Sequence, residues 1–372
     1  MTTALPDGWT EQYLGDYAVI LDNLRMPLSS MQRSSRRGPF PYCGANGVLD
    51  FIDDFMIDDD VVLLAEDGGN FDQWRTRPIA YRMKGKIWVN NHAHVLKAGE
   101  RGCTGFLFYA LQHKDITSLI SSGTRSKLTR AELVRIKFAI PGSIGEQRLI
   151  SDALTTVDDF ITSLERLIAK KQSIKQGMMQ RLLTGETRLP GHNGTWSVGP
   201  LKNFMPLQRG FDLPSSLRRQ GLVPVVYSNG VAQFHSVAMV KGPGVVTGRS
   251  GTIGKVHYVD SDYWPHNTSL WVTSFERVRP RFAYHLLSFL QLDRFSSGSG
   301  VPTLNRNDVH GFEISLPSDL VEQDAIAAAL DAIDAELETL ERNVASTFRI
   351  KQGMMQELLT GRTRLAPMEV SA

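Results

Sequence analysis

Cysteine is nearly absent from this chain: Cys43 and Cys103 are the only two in 372 residues, too few for a disulfide framework and in keeping with a reducing compartment. No apolar run reaches the roughly 18 to 20 residues that a bilayer-spanning helix needs. Nothing at the amino terminus follows the basic, apolar, small-residue order of a signal peptide, so a cytoplasmic location without a membrane partner is expected. An excess of charge of either sign is missing too. The 41 basic and 39 acidic residues leave a net charge of +2, and any affinity for nucleic acid has to come from local clusters.

Catalytic signatures are equally scarce. There is no Gly-x-Ser-x-Gly elbow and no Pro-Pro pair, which excludes the Asn-Pro-Pro-aromatic and Asp-Pro-Pro-aromatic segments with which amino-methyltransferases hold a flipped base. The stretch GRSGTIGKV falls short of a phosphate-binding loop, because the step from Gly248 to Gly254 is one residue too long and Val256 stands where Ser or Thr is required. His92 and His94 alternate along an extended segment without a cysteine pair or third ligand, so no metal site is expected. Asp53, Asp54 and Asp58 to Asp60 lack the lysine that would complete a metal-dependent nuclease centre and read as solvated turns. The chain is expected to catalyse nothing and to hold no cofactor of its own.

What is present is a duplication. Lys175 to Leu189 reads KQGMMQRLLTGETRL and Lys351 to Leu365 reads KQGMMQELLTGRTRL, identical at 13 of 15 positions and 176 residues apart. Glu146 and Gln147 match Glu322 and Gln323 at the same offset, as do Pro141 and Pro317, and Asn91 and Asn267. Pro41, Asn46 and Gly47 answer Pro224, Asn229 and Gly230 at a slightly longer one, and Trp9 and Leu14 echo Trp196 and Leu201. With 42% hydrophobic residues there is enough apolar surface for two cores.

Ile150, Leu154, Val157, Ile161, Leu164 and Ile168 alternate spacings of four and three, and Ile326, Leu330, Ile333, Leu337, Leu340 and Val344 repeat the pattern. Each is a heptad seam that needs a partner, and each is the obvious partner of the other. Both stretches end at LLTG, where Gly185 and Gly361 supply the left-handed residue that closes a helix. Gly177 and Gly353 sit inside helical stretches at a cost of about 1 kcal/mol against alanine, which implies a close approach to the backbone there. Recurrence of Lys175, Gln176, Gly177, Met178 and Met179 as Lys351, Gln352, Gly353, Met354 and Met355 points to a partner-binding surface present twice.

The segments between carry short strands, such as Val61 to Ala65, Ile87 to Val89, Val223 to Tyr227, Gly244 to Thr247 and Ser269 to Val272. A brief helix is expected in each, over Cys103 to His113 and Phe282 to Leu292. The fold class is therefore α+β: two globular, mixed β/α domains (1–145 and 191–320) alternate with two long helices (146–190 and 321–366) paired as an antiparallel coiled coil. Residues 367–372 form a tail, and the whole has an internal pseudo-two-fold repeat.

Basic residues gather at repeat-related places. QRSSRRG, with Arg33, Arg36 and Arg37, and LPSSLRRQG, with Arg218 and Arg219, each read as a loop followed by a proline and an Asn-Gly turn. Arg249, Ser250 and Lys255 lie in GRSGTIGK, Asn305 and Arg306 precede the second helix, and Arg125, Lys127 and Arg130 precede the first. Arginine donates to guanine or phosphate and serine contacts either, so these are candidate DNA contacts. The competing reading is a coiled-coil adaptor whose globular halves bind protein and have no DNA specificity.

The order of parts, the helices that begin at EQ and end in KQGMMQxLLTGxTRL, the W-x-x-x-x-L openings at Trp9 and Trp196, the tract SGSGVPTLNRNDV and the lead-in LP-x-x-x-x-EQ at Leu316 to Gln323 closely resemble the specificity subunit of Type I restriction-modification enzymes. The resemblance covers essentially the whole chain. It implies two target recognition domains, each reading half of an asymmetric, interrupted site in double-stranded DNA, with the helices as a ruler. It implies two modification subunits as partners and restriction subunits as a further partner class. S-adenosylmethionine, ATP and Mg are expected on those subunits. The first half lacks the VPT segment and is one residue shorter there, so base-contact inferences transfer less directly to it.

Overall fold

Val61 to Ala65 are all fully buried, so this strand is covered on both faces, and it forms the centre of a sheet. The computed structural model describes residues 5–121, 126–297 and 302–365 and divides into two units, Met1–Leu164 with Asn343–Ala372 and Glu165–Arg342. Among the described residues no helix is long and apolar enough to cross a membrane.

Unit one contains β1 (Trp9–Tyr13), α1 (Leu14–Tyr17), β2 (Ala18–Ile20), α2 (Ser30–Ser34), β3 (Arg37–Gly44), β4 (Gly47–Ile52), β5 (Ile57–Ala65), β6 (Ala80–Val89), β7 (Ala93–Ala98), α3 (Thr104–Gln112), α4 (Arg130–Leu133) and β8 (Lys137–Pro141). Then α5 (Ile144–Thr184) begins and runs on into unit two. A six-stranded sheet has the order β2-β7-β5-β6-β3-β4, and β1 pairs with β8. The buried side chains Phe106, Leu107 and Leu111 of α3 share one core with Val62, Leu64 and Leu96 of the sheet.

Unit two repeats this with β9 (Trp196–Pro200), β10 (Leu207–Arg209), β11 (Val223–Tyr227), β12 (Gly230–His235), β13 (Gly244–Gly248), β14 (Val256–Val259), β15 (Trp264–Pro265), β16 (Ser269–Val272), α6 (Pro280–Phe289), β17 (Ser296–Ser297), β18 (Thr303–Leu304), α7 (Arg306–His310) and β19 (Glu313–Pro317). α8 (Leu320–Leu358) follows and ends in unit one. The counterpart of the six-stranded sheet is two sheets, β10-β16-β13-β14 and β12-β11-β15. The single strand β6 pairs with both β5 and β3, whereas β14 and β15 divide that work. Asp260, Ser261 and Asp262 interrupt the run between them.

The repeated motif residues are interior ties. Gln147 donates to Pro141 O and accepts from Cys103 N and Tyr17 Oη, while Gln323 donates to Pro317 O and accepts from Arg279 N. Glu146 and Arg364 form a two-bond ion pair in unit one, and its repeat image, Glu322 with Arg188, does so in unit two at 2.5 Å. Asp158 pairs with Lys351 at 2.7 Å, and its image Asp334 pairs with Lys175 at 2.5 Å. Gly361 (φ +71°) lies against the Trp9 ring and Gly185 (φ +77°) against Trp196, where an added Cβ would come within 2.8 and 3.1 Å of the indole. Each unit is thus closed by the start of one long helix and the end of the other, antiparallel within that unit: Ile150 and Leu154 share a core with Leu358, and Ile326 and Leu330 share one with Leu182 and Leu183.

Some expectations change here. Asp58 to Asp60 are not turns. They lie in β5, where Asp59 pairs with Lys97 at 2.5 Å and Asp60 with Arg82. The QRSSRRG stretch is not a loop either: Ser29 caps α2 through a reciprocal bond with Gln32, and β3 starts at Arg37. The second stretch contains a 3₁₀ turn, Ser215–Leu217. Residues 367–372 lie outside the described residues.

The units titrate differently. In unit two, burial lowers His257, His266, His285 and His310 below the ordinary 6.5, against the opposing pull of Asp331 on His285. The unfolded chain therefore binds protons that these folded histidines refuse, and the stability of unit two falls as pH drops through about 6.5. In unit one burial would raise Asp22 and Glu66, but His94 and the Val95 N–H on Asp22, and Arg25 and Lys127 on Glu66, outweigh it and hold both carboxyls below their ordinary values. Their contribution persists down to about pH 4 and is lost below it. Protection from hydrogen exchange, corrected for the intrinsic rate at each pH, is expected to fall first in unit two as pH goes from 7.5 to 5. Earlier loosening of unit one would contradict this assignment.

Candidate nucleic-acid interface

The loop that leaves β13 carries Arg249 and Ser250. Both backbone N–H groups donate to Thr268 O, at 2.9 and 3.2 Å, and Arg249 O accepts from Leu304 N at 2.8 Å. Ser250 is also bridged to Thr303. Two separate sequence candidates, the GRSGTIGK loop and the TLNRN tract, thereby become one surface. Asn305 caps α7 by accepting from Asn307 N, and Arg306 next to it is exposed. Lys255 is exposed at the far end of the loop, where its carbonyl accepts from Gly248 N at 3.0 Å. Arg249 has no carboxylate partner among the described residues, nor do Arg306 and Lys255.

Unit one has the same backbone frame with opposite charge. Glu66 N donates to His92 O and Glu66 O accepts from Leu128 N at 2.7 Å, the bonds that Arg249 makes in unit two. The side chains at this place are therefore Glu66 and Asp67 instead of Arg249 and Ser250. Glu66 is held by Arg25 at 2.5 Å and Lys127 at 2.9 Å, and Asp67 by His92 at 2.8 Å. Lys127 is accordingly tied down, Arg130 is exposed on α4, and Arg125 lies outside the described residues. Buried His94 faces acceptors at both ring nitrogens, Asp22 Oδ2 at 2.7 Å and Leu128 O at 2.9 Å. Among the described residues two groups have donor atoms clustered as a cation site would need, Asp22–Glu66–His94 and His285–Asp331–Asp334, and both are already neutralised, by Arg25 and Lys127 and by Arg281 and Lys175.

The arginine pairs also differ. Arg33 donates to Leu28 O at 2.7 Å, lies 5.1 Å from the Tyr42 ring and faces Asp50. Arg36 pairs with Asp53 and Asp54 and stacks on Trp88, and Arg37 lies 3.3 Å from Asp50 with its side chain 71% exposed. Arg218 and Arg219 are exposed, and neither has a carboxylate partner among the described residues. Only backbone atoms of Arg219 are engaged, by the His235 ring.

Of the repeated helix residues, Lys175 and Lys351 belong to the helix pair: Lys351 is buried against Asp158, Gln112 and the Tyr109 ring. Met178 and Met179 pack against the unit-two core, and Met354 and Met355 against that of unit one. Nothing in the described chain comes within 4 Å of a Cβ placed on Gly177 or Gly353, so the expected close approach is not made from inside. Gln176 and Gln352 are exposed, as are Ile174 and Ile350. A groove of 480 Å³ opens beside Gly177, lined by Ile174, Met178, Leu182 and Leu189.

Sequence reading missed the stack of Tyr227 on His266, 4.2 Å between centroids, next to the Arg249 loop, because the two residues are 39 apart and no motif joins them. It also missed Phe51 and Phe234, exposed by 52% and 58% at repeat-equivalent places, for which the longer offset of Pro41 and Pro224 was the available signal.

A family model described as the Type I restriction modification DNA specificity domain matches the chain twice, over residues 6–176 and 193–345. A type I restriction enzyme specificity subunit of Haemophilus influenzae is 27% identical over 356 residues, 89% of this chain and 88% of that one. The MjaX specificity subunit of Methanocaldococcus jannaschii is 23% identical over 291 residues, 70% of this chain and 68% of its own. The crystal structure of a Type I restriction-modification S subunit from M. genitalium has the same fold, with a TM-score of 0.71 at 15% identity over 96% of this chain and 97% of that one.

Proposed function

The chain belongs to the Type I restriction-modification DNA specificity family, and from that premise we propose that each unit reads one half of a two-part site in duplex DNA. It is a non-catalytic, sequence-specific DNA-binding subunit. The observation that carries the residue assignment is the joining of the Arg249–Ser250 loop to the Thr303–Arg306 tract, which gathers guanidinium, hydroxyl and amide groups on one surface of unit two, with no carboxylate partner for Arg249 or Arg306 among the described residues. Arg218 and Arg219 extend it. Among the described candidates of unit one, Arg37, Lys127 and Arg130 are exposed, with Lys127 held by Glu66 and Arg37 facing Asp50.

The paired helices serve as the ruler between half-sites. Their twin surfaces at Ile174, Gln176 and Gly177 and at Ile350, Gln352 and Gly353 receive two modification subunits, one each, which bring S-adenosylmethionine-dependent adenine methylation. ATP and Mg belong to restriction subunits where these join.

Exchanging residues 1–145 for the corresponding segment of another family member tests the assignment of one half-site to each unit. Mapping of methylated adenines in cells that hold the modification subunits is expected to show one half of the motif replaced and the other retained. Replacement of both halves together would end the modular reading, and loss of all methylation dependence on this chain would favour the protein-binding adaptor.

A further inference from the structure

We propose that the outermost hairpin of each unit, β3–β4 in one and β11–β12 in the other, is a ribbon that enters a DNA groove, with Phe51 and Phe234 as its base-facing apolar contacts. The inference rests on the reading of the chain as a DNA-binding subunit and adds a contact class that the basic residues do not supply.

The two hairpins are built alike. Each turns at an Asn-Gly pair, Asn46-Gly47 and Asn229-Gly230, with the glycine at φ +135° and +114°. Each places its phenylalanine directly across from a proline, Phe51 from Pro41 and Phe234 from Pro224. β4 and β12 are the last strands of their sheets, and both leave apolar side chains in solvent: Val48, Leu49 and Phe51 on one, Val231 and Phe234 on the other. An apolar outer strand invites edge-to-edge association unless something covers it. Its recurrence, with the phenylalanine preserved while its neighbours change, marks a surface kept for an occupant.

The occupant is DNA because of what surrounds these residues. Arg218 and Arg219 lead into β11 without carboxylate partners among the described residues, and Arg219 is tied by its backbone to His235, the residue after Phe234. Gln233, exposed beside Phe234, accepts from Tyr227 Oη at 2.9 Å and keeps its amide N–H groups for an acceptor. In unit one the equivalent position is Asp50, which is neutralised by Arg33 and Arg37 and so does not repel phosphate. A two-stranded ribbon fits the major groove, where phenylalanine meets thymine methyl groups and glutamine meets adenine.

The test uses the complex assembled with its modification subunits and carrying Phe51→Ala, Phe234→Ala or Phe234→Leu. Each phenylalanine is more than half exposed, so truncation removes little core packing. Affinity for the duplex bearing the mapped motif is expected to fall about tenfold with each alanine and less with leucine. The dependence of affinity on salt should be unchanged, because no phosphate contact is lost. Phe51→Ala is expected to relax a position in one half of the methylated motif and Phe234→Ala a position in the other. Unchanged affinity and motif would overturn the proposal. So would loss of modification subunits from the variant complex, read by its mass, since the hairpin would then face protein. A wild-type complex that prefers no duplex would overturn the DNA reading itself, and the inference with it.

Discussion

Arg188→Ala is expected to destabilise unit two by about 3 to 5 kcal/mol, the range for removing one partner of a buried ion pair. The reason is Glu322, whose side chain is 1% exposed and whose two carboxylate oxygens both accept from Arg188 at 2.5 Å. Without the guanidinium the carboxylate remains buried and uncompensated. Adding Glu322→Gln should recover part of the loss, because a neutral amide needs no opposite charge. The repeat-related Arg364→Ala is expected to cost less: Glu146 is 9% exposed and Arg364 is 47% exposed, so water reaches part of that pair. Urea unfolding with hydrogen exchange resolved by unit is the measurement. A loss below 1 kcal/mol, or equal loosening of both units, would show that these pairs do not hold the ends of the long helices onto their domains.

This explains why the repeat was so legible. Thirteen identical positions out of fifteen suggested a surface kept for a partner, yet Lys351, Arg364 and Gly361 are kept by Asp158, Glu146 and Trp9 of the same unit. Sequence periodicity located the helices to within a few residues, because a seam of threes and fours has one physical meaning. It could not tell which end of which helix closes which domain, since the partners of Arg364 lie 218 and 357 residues away in the chain. The basic clusters were found by composition, but whether each arginine is available is decided by aspartates that composition does not place beside it. Asp53 and Asp54, read as turn residues, are the partners of Arg36, and Asp50, on which the sequence reading was silent, is the partner of Arg33 and Arg37. The opposite charge of Glu66 and Arg249 was hidden for the same reason: two loops of unlike sequence occupy one backbone position only because Leu128 and Leu304 each bond to it.

Arg218→Ala with Arg219→Ala is therefore expected to weaken binding to the specific duplex by one to two orders of magnitude, about 1.4 to 2.8 kcal/mol, whereas Arg36→Ala with Arg37→Ala should weaken it far less. The difference follows from what each pair leaves behind. Arg218 and Arg219 have no carboxylate to release among the described residues, so any phosphate they neutralise is lost outright, and the slope of log affinity against log salt should fall by about 0.9 for each such contact. Removing Arg36 and Arg37 instead frees Asp53, Asp54 and Asp50 from pairs at 2.9 to 3.4 Å, and part of the effect becomes a loss of local stability worth about 0.2 to 1 kcal/mol per exposed pair. Binding isotherms at four salt concentrations, alongside melting of each variant, separate the two contributions. If both double variants lose the same slope, the internal pairs of unit one must open on DNA and its arginines contact phosphate as freely as those of unit two. If neither loses any, the basic segments before β3 and β11 are solvated surface, and the recognition of each half-site must rest on other contacts, the β3–β4 and β11–β12 hairpins and the loop that follows β13 among them.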